Sequence, residues 1–208
     1  AIRRAKLPAA YSEGFNPHLK FSLASALGVG VVSYTEFVEI ELAEPMEVEK
    51  AALALDAALP RGIRVLAADA VDTHHAALMS QAAGASYRVT LPYSKDVSVA
   101  VAEFNAAPEL LFKKAAPKTK AKFKDIDVKF YIPQLTAEQT ETETIFSFDC
   151  KITPTGSMKA VDLLNALNEQ YGLALPVEMA DIERLRLYRN NKNGKPIPML
   201  NSDAVTLG

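Results

Sequence analysis

The nine residues Ser12-Glu13-Gly14-Phe15-Asn16-Pro17-His18-Leu19-Lys20 carry a hydroxyl, a carboxylate, an amide, an imidazole and an ammonium group. Gly14 and Pro17 are turn formers, so the segment reads as a shaped loop. Arg3, Arg4 and Lys6 lie just upstream. This mixture suits an anion. Arg3, Arg4, His18 and Lys20 can donate, and backbone N–H groups near Gly14 can add a nest. Tyr11 and Phe15 offer aromatic faces on which a base can stack. Ser12 and Asn16 can hydrogen-bond. The competing reading is a rigid connecting loop whose Ser12 and Asn16 bond local backbone. Polar turns are common, and composition alone favours that plainer reading. His18 can also be read as a general acid or base with Glu36 as its partner. A lone histidine, however, identifies no mechanism.

A second segment carries charge of one sign. Lys113, Lys114, Lys118, Lys120, Lys122, Lys124 and Lys129 place seven lysines in seventeen residues, interleaved with Phe112, Phe123, Phe130 and Tyr131. Such a stretch suits a phosphate backbone. It also suits a solvated hairpin whose lysines keep strand edges from aggregating, and the two readings weigh about equally. His74-His75 with Asp69 and Asp72 has the residue types of a metal cluster. Adjacent histidines diverge by ~100° on a helix and point to opposite faces of a strand, so a solvated linker is the better reading and no metal site is assigned. Gly28-Val29-Gly30 lacks the third glycine, the helix and the acidic partner of a dinucleotide fingerprint.

These groups need elements to hold them. Residues 1–6 read as the last turns of a helix that Pro8 stops, with Arg3, Arg4 and Lys6 at its negative end. Residues 21–27 and 36–42 alternate as strands; in the second, Glu36, Glu39 and Glu41 form the wet side. Val48 to Leu59 has one apolar face and reads as a helix, and residues 63–67 read as a short strand. A strand before residue 1 would complete a βαββαβ, ferredoxin-like plan. Residues 71–85 form an Ala-rich linker. Beyond it, residues 87–91, 110–112, 126–132, 144–152 and 182–188 read as strands. Residues 97–107 and 158–171 read as helices, the second ended by Gly172. The expectation is an α+β protein of two ferredoxin-like units with antiparallel sheets. The first spans 1–70 and is incomplete at its start. The second spans 86–190 with an extra strand or insertion, and 191–208 is an irregular tail.

Composition bounds the function classes. The 208 residues are 49% hydrophobic and 23% charged, enough to bury a core. A net charge of −2, from 23 basic and 25 acidic residues, excludes a uniformly basic nucleic-acid coat. The single cysteine, Cys150, excludes an internal disulfide framework and any Cys-ligated zinc or iron–sulfur site. It suits a reducing cytoplasm. Uncharged runs reach fifteen residues, as in 21–35, short of the ~20 that span a bilayer, so no membrane partner is expected. The chain opens on Ala1-Ile2-Arg3-Arg4, which resembles neither a leader nor a start.

The string Arg3-Arg4-Ala5-x-Leu7-Pro8-x-Ala10-Tyr11-Ser12-x-Gly14-Phe15-Asn16-Pro17-His18-x-Lys20, continued by Phe21, Leu27, Gly30, Ser33 and Glu36, resembles the opening domain of the bacterial radical SAM-linked protein family. Leu59-Pro60-x-Gly62-Ile63 agrees more loosely. Leu19 and Val32 depart from the family pattern, where Pro and often Glu stand. The family's Ser-His-Leu-Asp motif on a preceding helix is absent here. The resemblance implies a protein encoded beside, or fused behind, a radical S-adenosylmethionine enzyme, with no established activity. With one cysteine the chain cannot itself hold the three-cysteine cluster of such an enzyme, and no cofactor is expected. Three readings follow. The first is an accessory module presenting a substrate, RNA, to that enzyme. Its contacts would be Arg3, Arg4, Tyr11, Ser12, Gly14, Phe15, Asn16, Pro17, His18, Lys20 and Glu36, with a second set of lysines at 113, 114, 118, 120, 122 and 124. The second is an enzyme using His18 and Glu36. The third is a protein-interaction scaffold with no ligand.

Overall fold

The computed structural model describes residues 1–72, 74–93, 95–115, 122–201 and 203–207. In chain order its elements are β1 (Phe21–Leu23), β2 (Val31–Ser33), β3 (Val38–Ile40), α1 (Val48–Ala58), β4 (Ala67–Ala68), α2 (Leu78–Gln81), β5 (Gly84–Pro92), α3 (Ser98–Ala106), β6 (Leu111–Ala115), β7 (Phe123–Asp127), α4 (Val128–Tyr131), β8 (Leu135–Gln139), β9 (Glu143–Thr153), β10 (Gly156–Ser157), α5 (Ala160–Tyr171), β11 (Asp181–Asn190), β12 (Pro196–Pro198) and β13 (Val205–Thr206). The fold is α+β with mostly antiparallel sheets. Among the described residues no helix is long and apolar enough to cross a membrane.

The chain divides into two compact units that are interleaved in sequence. The first takes residues 1–25, 37–81 and 198–208; the second takes 26–36 and 82–197. Each is described by itself.

The second unit is built on a long antiparallel sheet. β5 lies between β9 and β11, β8 pairs with β9, and β2 joins the other side of β11 in parallel. β9 shows why the sheet forms. Thr144, Phe146, Phe148 and Cys150 are buried at every second residue, while Asp149 is exposed, the pattern expected of a half-buried strand. Helices α3 and α5 cover that face. Phe104 from α3 and Leu163, Leu164 and Leu167 from α5 join Val89, Leu91, Phe146 and Leu135 in one core. α5 ends where Gly172 turns left-handed at φ 58°, donating its N–H to the Asn168 carbonyl at 2.9 Å. The Asn168 side chain then brackets Leu175, donating to its carbonyl and accepting from its N–H.

The first unit is thin. Its buried apolar residues are Ala9, Ala24, Ala52 and Met199, and its described strands pair as two short ribbons, β1 with β3 and β4 with β13. α1 runs close to its predicted span. The β1–β3 ribbon is inverted. Phe21, Leu23 and Val38 face solvent, whereas Ser22 and Glu39, opposite each other in register, are more covered.

Several expectations need correction. Residues 126–132 do not continue as a strand: β7 stops at Asp127 and one helical turn follows. The Asp127 carboxylate accepts from the Lys129 N–H at 3.0 Å, and the two fully buried residues, Val128 and Ile132, are four apart. Period two was present in residue types, but the buried set follows a helical step. Residues 2–6 are turns that close as a helix end does, with an i→i−4 bond followed by a left-handed residue. Ala5 donates to the Ala1 carbonyl, and Lys6 sits at φ 52°, where a helix cannot continue. The strands expected over 21–27 and 36–42 shrink to three residues each. The tail carries β12 and β13, the latter pairing with β4.

Candidate functional site

The predicted loop exists as a closed hairpin in the first unit. Tyr11 and Leu19 form an isolated antiparallel bridge. One step inward the Ser12 N–H donates to the His18 carbonyl at 2.8 Å. The His18 N–H donates back to the Ser12 hydroxyl at 2.9 Å. Two bonds across the neck thus fix a turn whose tip is residues 13–17. Gly14 sits at φ 113°, a backbone state an L side chain rarely adopts, so the glycine is required there. Glu13, Phe15, Asn16, Pro17 and His18 are all exposed, and the Phe15 ring projects fully into solvent. A bare phenyl ring at the tip of a braced loop contributes nothing to a core.

The basic residues around this hairpin take different roles. Arg3 holds its guanidinium 6.0 Å from the centre of the Tyr11 ring. Arg4 donates to the Ala58 carbonyl at 2.8 Å, at the end of α1, where a cation offsets the helix dipole. Lys20 pairs with Glu41 at 2.8 Å, and that hydrogen bond raises its pKa. The pair is solvent-exposed and adds little stability.

Glu36 lies in the second unit and is committed there. Its carboxylate receives Arg184 in a two-pronged pair, Nε to Oε1 at 2.8 Å and Nη2 to Oε2. The Ser33 hydroxyl also donates to Oε1. Arg184 is only 1% exposed, and its Nη1 reaches the Ala26 carbonyl at 3.4 Å. Burial opposes the Arg184 charge, but the Glu36 hydrogen bonds and the adjoining Tyr87 outweigh it and raise the pKa. A guanidinium in this position needs its carboxylate. Tyr34 adds a further tie by donating to Glu183. The Glu36 carboxylate, read from the sequence as a partner for His18, is occupied by an arginine of its own unit. Sequence reasoning missed Arg184. The available signal was an arginine at the same strand parity as the apolar Ile182.

Lys113, Lys114 and Lys124 of the lysine-rich segment lie on the β6–β7 ribbon, and Lys129 lies in α4. Lys114 leaves solvent to meet Asp162 at 2.6 Å, in the first turn of α5. Lys113 stands opposite Asp125 in register. Lys122 and Lys124 are exposed, with Phe123 exposed between them. Lys118 and Lys120 lie outside the described residues.

His74 and His75 differ. His74 is exposed and contacts the Asp72 carboxylate at 3.0 Å. His75 is partly covered and reaches Glu39 at 3.1 Å. Among the described residues no group of three or more His, Cys, Asp or Glu side chains could hold a metal ion. Cys150 is buried, and burial pushes its thiol up to about 11, so it is not a reactive thiolate. A cleft lined by Val97, Ser98, Val101, Ala137 and Gln139 contains no titratable side chain. Its one amide is used internally: Gln139 accepts from the Val97 N–H and donates to the Lys95 carbonyl and the Thr144 hydroxyl.

No curated protein matches the chain. A family model does, over residues 1–162, and its matched span contains the hairpin loop, Glu36 and the lysine ribbon but not Arg184. The chain therefore belongs to the bacterial family described as "uncharacterized protein conserved in bacteria (DUF2344)".

Proposed function

We propose that the chain is an accessory binding module that engages its ligand through the 12–18 hairpin, that the ligand is RNA, and that its partner is a radical S-adenosylmethionine enzyme. The observation that carries the binding reading is the braced loop with a fully exposed Phe15 at its tip. A stacking residue carried on a backbone already braced at its neck leaves less backbone entropy to lose when a base arrives. Asn16 and His18, also exposed, would supply hydrogen bonds to the base or phosphate. Arg3 beside Tyr11 would supply charge. Lys122 and Lys124 would add a second, sequence-independent contact. The radical SAM partnership rests on the resemblance of residues 3–36. The strand order β11-β5-β9-β8, with α3 and α5 as the connections, supports a ferredoxin-like plan for the second unit.

The enzyme reading is less favoured. It needs His18 and Glu36 to share a site. Glu36 is saturated by Arg184 and Ser33, and the His18 loop is exposed rather than enclosed.

The test is ultraviolet crosslinking of the purified chain to a random-sequence single-stranded RNA, followed by peptide mapping. The expected result is crosslinks on peptides containing Phe15 to Lys20. Capture of the radical SAM enzyme with no RNA crosslink would replace this reading with the scaffold one.

A further inference from the structure

We propose that His75 and Glu39 form a pH-dependent latch that holds residues 74–81 against strand β3 of the first unit. The ribbon's inversion supplies one half. Because β3 turns Val38 outward, Glu39 faces the protein side, where its carboxylate is only partly exposed. Its Oε2 accepts from the Leu78 N–H at 3.1 Å and meets His75 Nε2 at 3.1 Å.

The second half is the imidazole. His75 Nδ1 faces the Asp72 carbonyl oxygen while Nε2 faces the Glu39 carboxylate. A carbonyl and a carboxylate only accept, so both ring nitrogens must donate for both contacts to be hydrogen bonds. Only the imidazolium does that. The neutral ring leaves a lone pair pointing at an oxygen, whichever tautomer it takes. The charge state and the closed arrangement are therefore coupled by geometry.

The surrounding charges support the same state. On its own segment His75 is near Asp72, whose carboxylate accepts from the His74 N–H at 2.7 Å, and near His74, which is exposed. β3 contributes Glu39. β1, opposite β3, offers Phe21, Ser22 and Leu23, and α2 offers Leu78 to Gln81; none of these titrates. The Asp72 carbonyl first, and Glu39 after it, raise the His75 pKa against the opposing effect of burial. A histidine whose folded pKa is raised stabilises the closed form below its open-state pKa. That stabilisation is lost as pH rises through the folded pKa. The latch is thus closed in mild acid and released as pH rises through the folded His75 pKa, which lies above that of a free imidazole.

The experiment is amide hydrogen exchange of the whole chain, corrected for intrinsic rates, at about pH 5 and about pH 8, paired with an NMR titration of the histidines. The expected result is that protection of the Leu78 to Gln81 amides falls with rising pH, with its midpoint at the His75 titration. The loss should be about tenfold for each unit by which the His75 pKa exceeds that of an unstructured histidine. H75Q and E39Q should remove the pH dependence, and H74Q should keep it. Protection that is flat with pH in the wild-type chain, or a pH dependence that survives in H75Q, would overturn the latch.

Discussion

Phe15 and Glu36 mark two ways in which a side chain can look functional. Phe15 is exposed at the tip of a loop whose neck is tied by Ser12 and His18. Replacing it with alanine removes no buried area, so the denaturation midpoint should stay within about 0.5 kcal/mol of the parent. Base stacking lost at such a site costs about 1–3 kcal/mol, so RNA affinity should drop by about 5- to 150-fold. Equal affinity for parent and F15A would count against the ring's role. Ser12→Ala acts differently. It removes the acceptor for the His18 N–H and should cost about 1 kcal/mol, measured by urea denaturation, while leaving the ring in place. Glu36 is structural. E36A strands a buried guanidinium and should lower stability by about 3 kcal/mol. A change under ~0.5 kcal/mol in urea would show that Arg184 finds another partner.

At the scale of elements, the three longer helices and the long strands were legible, while the one-turn helices α2 and α4 and the short ribbons were not. Helix α1 and helix α5 could be read because an apolar stripe and terminal Pro or Gly residues agree. β9 could be read because one face meets a core along its whole length. Residues 126–132 misled because a capping aspartate, Asp127, overrides an alternation that seven residues cannot distinguish from a helical turn. Glu39 misled for the opposite reason. Its charge marks the wet side of a strand, yet its partner, His75, lies 36 residues away and is invisible to periodicity. The loop was legible as a loop, and a Ser12 hydroxyl bonded to local backbone is the plainer reading of its residue type, but the exposure of Phe15 does not follow from residue type. Gly84 gives an element-scale prediction. It pairs with Tyr188, and a Cβ there would lie 2.3 Å from the tyrosine oxygen. G84A should therefore lower stability by about 1–3 kcal/mol as the ring is forced off the strand. An unchanged unfolding midpoint would show that the ring moves aside freely.

At the scale of the whole molecule, the near-zero net charge averages an acidic strand-and-helix stretch in the first unit with a basic ribbon in the second. The two units also differ in what holds them. The second has a continuous core of large side chains under a long sheet; among the described residues, the buried apolar side chains of the first are three alanines and a methionine. Amide exchange should therefore be faster throughout α1 and the β1–β3 ribbon than in β5, β9 and β11, and equal protection would refute that ranking. Thin packing is compatible with the proposed binding role, because the loop is braced locally by Ser12 and His18 rather than by a deep core. RNA binding by this loop is the proposal on which the functional reading depends. It is tested most directly by fluorescence anisotropy of a labelled random-sequence single-stranded RNA titrated with the whole chain and with F15A at one fixed salt concentration. Saturable binding by the parent, weakened about fivefold or more by F15A without loss of fold, is the predicted result. No binding by the parent, or binding that F15A leaves untouched, would contradict it.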